Sequence, residues 1–82
     1  MEKIKSATLT INTSDIYTIK NDFIRIKNIY HTYKVYDVAT NENNELVINL
    51  RTTSIVRKLI DEAIVTCHKD NTSTVIFNRY TF

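Results

Sequence analysis

The chain has 82 residues, 43% of them hydrophobic, with 11 Lys and Arg against 9 Asp and Glu. That balance suits one small folded domain over residues 1–82 rather than a disordered segment, and no apolar run approaches the ~20 residues of a membrane-crossing helix. A net charge of +2 is too small for a strongly basic stripe and has the wrong sign for an acidic DNA mimic.

Single residue types narrow the chemistry further. One cysteine excludes an intrachain disulfide and fits a reducing compartment. The opening "MEKIKSATLTI" lacks the apolar stretch of a secretory signal. A cytoplasmic protein with no membrane partner is therefore expected. There is no Gly and no Pro, so phosphate-cradling loops and dinucleotide fingerprints are missing. Any backbone position with positive φ has to be filled by Asn or Asp, the residues that tolerate it best after Gly.

In chain order, residues 3–12, "KIKSATLTIN", alternate Ala7, Leu9 and Ile11 with Ser6, Thr8 and Thr10, as a half-buried strand does. The segment from Thr13 to Tyr30 carries two patterns. Thr13 or Ser14 suits an N-cap, and Ile16, Ile19, Phe23, Ile26 and Tyr30 follow helical spacing. Against this, "DIYTI" and "FIRIKNIY" flank a "KND" turn, as in a hairpin. The helix is the reading adopted, with the hairpin as its alternative. Residues 31–39 and 45–51 read as strands joined through the Asn-rich loop "TNENN".

Residues 54–68, "SIVRKLIDEAIVTCH", place Ile55, Leu59, Ile60, Ala63, Ile64 and Cys67 on one helical face. Arg57–Asp61 and Lys58–Glu62 become i,i+4 pairs, and Asn71 fits the position after the helix. Residues 72–82, "TSTVIFNRYTF", are β-branched and aromatic and close the chain as a strand. The expected fold class is α+β, a ferredoxin-like βαββαβ with a four-stranded antiparallel sheet. The alternative is an antiparallel meander sheet with a single helix at 54–68.

Catalytic chemistry finds no foothold. Cys67 lies on the apolar face of the expected helix, where a free thiol behaves as a small hydrophobe, and His68 points away from it. His31, His68 and Cys67 match no zinc spacing and read as solvent-facing or core residues. Asp61 and Glu62 read as a solvated face. The chain is expected not to be an enzyme, with no catalytic residues, metal or cofactor.

On the ferredoxin-like model the helices cover one sheet face. The other leaves Tyr36, Val47, Ile76, Tyr80 and Phe82 in water, and residues 31–39 and 72–82 form sheet edges. Such a patch marks an interface, and an unprotected edge invites a partner strand. The expected function is a small protein–protein interaction module, a homodimer through its sheet face or edge. Its lack of Gly and Pro and its abundance of Ile, Asn and Lys, residues with AT-rich codons, suggest a phage or mobile-element accessory protein that binds and inhibits a host protein complex. The alternative is a small nucleic-acid-binding protein using Lys20, Arg25, Lys27, Lys34 and Tyr36, the one local basic excess.

Overall fold

The computed structural model describes residues 1–82, and it is all-β. The strands are β1 (Glu2–Asn12), β2 (Ile16–Lys20), β3 (Phe23–Ile26), β4 (Thr32–Thr40), β5 (Leu46–Ser54), β6 (Leu59–Cys67) and β7 (Thr72–Thr81). They form one antiparallel sheet in the order β1-β7-β6-β5-β4-β3-β2. Strands β2 to β7 run up and down in sequence, and β1 lies beside β7. The only helical turn is the 3-10 segment Thr13–Asp15.

This overturns the α+β expectation in both its forms. Neither helix exists. Residues 13–30 form the hairpin β2–β3, the alternative pattern, turning at Asn21 and Asp22. Residues 54–68 are the end of β5, a turn at 55–58, and β6. The helical spacing there arose because β6 lies mid-sheet and is apolar on both faces. Leu59, Ala63, Val65 and Cys67 line one side, and Ile60 and Ile64 line the other. Strand propensity was visible in the β-branched Ile60, Ile64, Val65 and Thr66.

The edges are also reassigned. β7 lies between β1 and β6, and β4 lies between β3 and β5, so neither is an edge. The edges are β1 and β2. They are consecutive in the chain and joined only by the 3-10 turn, so the sheet has to roll up on itself. Two backbone bonds carry the β1–β7 and β2–β3 ladders into this turn. Thr13 N–H donates to Asn71 O (2.8 Å), and Lys27 N–H donates to Asp15 O (2.9 Å).

The inner face of the roll holds the core. Ile26, Tyr33, Leu50, Ala63, Val65 and Val75 are buried there, with Ile11, Ile16, Ile24, Val35, Ile48, Cys67 and Phe77 packed around them. Cys67 is thus a core residue as expected, on a strand rather than a helix.

Four of the five positive-φ residues are Asn21, Asn28, Asn44 and Asn71; the fifth is Lys58 (φ 55°). The expectation that Asn replaces Gly holds at four positions. Asn71 takes this conformation in the β6–β7 turn, not after a helix. Register shifts leave Ile4, Ile19 and Tyr36 as extra residues between paired positions, and all three are exposed.

Candidate functional site on the outer face of the sheet

One row of side chains crosses all seven strands on the outer face. Register places Lys20 opposite Phe23, then Lys34, Arg51, Glu62, Asn78 and Ser6 in turn. The two halves of this row differ in kind. From Glu62 to Ser6 it is a closed polar network. From Lys20 to Arg51 it is basic, aromatic and open.

Glu62 is only 6% exposed, so its carboxylate needs partners. Asn78 Nδ2 donates to Oε1 (3.0 Å), Asn49 Nδ2 donates to Oε2 (3.3 Å), and Tyr80 O–H donates to Oε1 (3.3 Å). The Arg51 guanidinium stands 3.5 Å from Oε2, and Ser6 O–H extends the chain to Asn78 Oδ1. Burial opposes ionisation of Glu62. The amides of Asn78 and Asn49, the Arg51 charge and the Tyr80 hydroxyl outweigh it and hold the carboxyl below the usual range. Burial and the same carboxylate push the Tyr80 hydroxyl up.

The open half surrounds a groove of about 410 Å³ lined by Phe23, Lys34, Tyr36, Arg51, Thr53 and Ile60, among others. The register shift between Val35 and Asp37 releases Tyr36 from the pairing pattern. Its ring covers the Arg51 guanidinium at 3.8 Å. Arg51 Nε and Asn49 Oδ1 are buried without a partner.

Of the expected protein-contact residues, Tyr36, Val47, Ile76 and Tyr80 share this face, with Ile60 and Ile64 beside them. They are not one continuous apolar patch, because the Arg51–Glu62–Asn78 network runs between them. Phe82 lies just past the end of β7, and its N–H donates to Lys58 O (3.1 Å). Of the expected nucleic-acid residues, Lys20, Lys34 and Tyr36 gather around Phe23 and Arg51. Arg25 and Lys27 do not. Arg25 reaches the Tyr30 carbonyl (3.3 Å), and Lys27 is fixed by its backbone to Asp15.

Asp61 faces inward. It accepts from Arg79 Nε (2.7 Å) and Nη2 (3.3 Å), and His31 Nε2 stands 3.5 Å away. Together with Lys5 and Tyr33 they line a small cavity of about 140 Å³. The Asp61 partner raises Arg79 further. Burial, with the Asp61 charge second, pushes the Tyr33 hydroxyl up to about 12. Asp61 and Glu62 are therefore two separately engaged carboxylates on opposite faces, not a solvated charged surface, and neither pairs with Arg57 or Lys58.

The histidines are not free side chains either. His68 Nδ1 donates to Glu45 Oε2 (2.6 Å), since a carboxylate only accepts, and Nε2 contacts Thr74 Oγ1 (2.7 Å). No three His, Cys, Asp or Glu side chains gather as a metal-binding group. No helix is long and apolar enough to cross a membrane. No protein-family model matches the chain, and no curated protein and no solved structure matches it.

Proposed function

We propose that the chain is a small, non-catalytic, cytoplasmic protein-interaction module that adds a second copy of itself along β1. The open edge of β1 carries this reading. None of its eleven residues is buried, it contains no proline, and residues 6–12, "SATLTIN", carry no charge. Proteins normally blunt such an edge with charge, proline or a covering element. An antiparallel copy satisfies the unpaired backbone groups and extends the outer face beyond Ile76 and Tyr80. In its narrower form the module belongs to a phage or mobile element and inhibits a host complex, which composition alone suggests.

Sedimentation velocity tests the pairing. A wild-type dimer is expected, with Leu9→Lys shifting it to monomer because Leu9 is exposed on this edge. A wild type that stays monomeric at the highest soluble concentration overturns it.

A second reading rests on the groove. Phe23 and Tyr36 are exposed aromatics beside Lys34 and Arg51, and single-stranded nucleic acid uses such stacking rings within a basic track. Fluorescence polarisation with mixed oligonucleotides at rising salt decides it. Binding that falls steeply with salt and is lost in Lys34→Glu supports this reading, and no binding at low salt removes it.

A further inference from the structure

Four of the chain's five hairpin turns bear an asparagine, as turns often do; the turn at 55–58 is "IVRK". Its tip holds Ile55, 80% exposed, and Val56, 95% exposed. The β3–β4 turn at 27–31 adds Tyr30, 88% exposed. The two turns lie together, since Tyr30 and Arg57 line one cleft with His31 and Ser54. None of the three apolar side chains belongs to the core.

The charge within the two turns has one sign. The two turns contain Lys27, Arg57 and Lys58 and no acidic residue. Among neighbouring carboxylates, Asp61 is engaged by Arg79, and Glu2 sits across from Thr81. The tip is also held in shape. Ser54 Oγ accepts from Arg57 N–H (3.2 Å), and Ile55 O accepts from Lys58 N–H (3.3 Å).

Aliphatic side chains projecting from a fixed turn, a tyrosine beside them and a collar of cations match the layers of a bilayer surface. Apolar groups enter the acyl boundary, an aromatic ring sits at headgroup depth, and Lys and Arg meet anionic headgroups. We propose that this end of the sheet docks on an anionic lipid surface, with Ile55 and Val56 inserted and Arg57 and Lys58 on the phosphates. The contact is peripheral. Hydropathy along the chain does not register it, because it is assembled from two short turns distant in sequence.

The chain has no Trp, so Val56→Trp gives a single clean reporter. Its emission is expected to shift to the blue with phosphatidylserine–phosphatidylcholine vesicles and not with phosphatidylcholine alone. In vesicle co-sedimentation, Arg57→Gln with Lys58→Gln is expected to weaken partition about thirtyfold. Ile55→Ser with Val56→Ser should abolish it. These side chains are exposed, and circular dichroism checks that each variant folds. Failure of the wild type to bind anionic vesicles at low salt, or binding unchanged in both tip variants, overturns the proposal. In the first case the tip is left to a protein partner.

Discussion

At one end of the sheet, the turns at 41–45 and 68–71 use up their own polar groups. Asn41 Oδ1 accepts from the N–H groups of Asn43 and Glu45 (both 2.9 Å), and Asn41 Nδ2 donates to Glu45 Oε1 (3.1 Å). His68 ties Glu45 to Thr74, and Asp70 Oδ1 accepts from both the N–H and O–H of Thr72. At the other end, the turn at 55–58 has one such bond, from Arg57 N–H to Ser54, and presents Ile55 and Val56 to water. The first end spends its side chains on the fold. The second holds apolar groups that serve no packing, and in a surface loop such groups point to contact with something else.

The largest effect that sharpens this contrast belongs to Asn41. Asn41→Ala removes three hydrogen bonds from one turn and is expected to cost about 2 kcal/mol in denaturant unfolding. A loss below about 0.5 kcal/mol would mean that the polar end is no better fastened than the other.

Acid should loosen the same end first. The bond from His68, then that from Asn41, holds the Glu45 carboxyl below its usual range, and Thr72 does the same for Asp70. A carboxyl lowered on folding contributes stability that is complete above its unfolded value. That stability is lost as pH falls through the folded value. Melting temperature should therefore hold from pH 7 to about 5 and fall below it. Glu45→Gln should flatten part of that fall. Glu62, lowered on the outer face, adds to it, so Glu62→Gln provides the comparison.

The contrast between ends was only partly legible in the sequence. Alternation located β1, strand-like runs located β4 and β5, β-branched and aromatic content located β7, and the missing glycines foretold Asn at positive φ. The β5–β6 turn escaped because its positive-φ residue is Lys58, which no turn rule selects. With that turn unseen, Ile55 joined the apolar residues of β6 in a false helical stripe. Tyr30 was placed on another helix face, whereas it sits exposed in a turn. Tyr33 faces inward, on the side that alternation sets opposite Tyr36. Tyr36 was read as outward, but its place over Arg51 depends on a register shift that alternation does not reveal. The Glu62 network joins residues from β1, β5, β6 and β7, and no local pattern records such pairings.

Lys58 gives a smaller prediction of opposite sign. A side chain with a Cβ pays about 1 kcal/mol to hold the left-handed region, and Asn pays less. Lys58→Asn is expected to raise stability by about 0.5 kcal/mol, read as a higher denaturant midpoint at unchanged slope. On the vesicle proposal the same change weakens partition, because it removes a cation from the lipid contact. Opposite movement of the two readouts in one variant would be hard to explain if Lys58 served only the fold.

The smallest effect is the most discriminating. Ile55→Ser with Val56→Ser removes two aliphatic side chains that make up none of the core. Exposed substitutions of this kind change stability by no more than about 0.5 kcal/mol. The unfolding midpoint should stay in place while vesicle partition disappears. A large destabilisation would show that the tip packs against the body of the protein, and the two ends would then differ in composition but not in purpose. An unchanged midpoint, set beside the loss expected for Asn41→Ala, would separate a turn that fastens the sheet from a turn kept for contact.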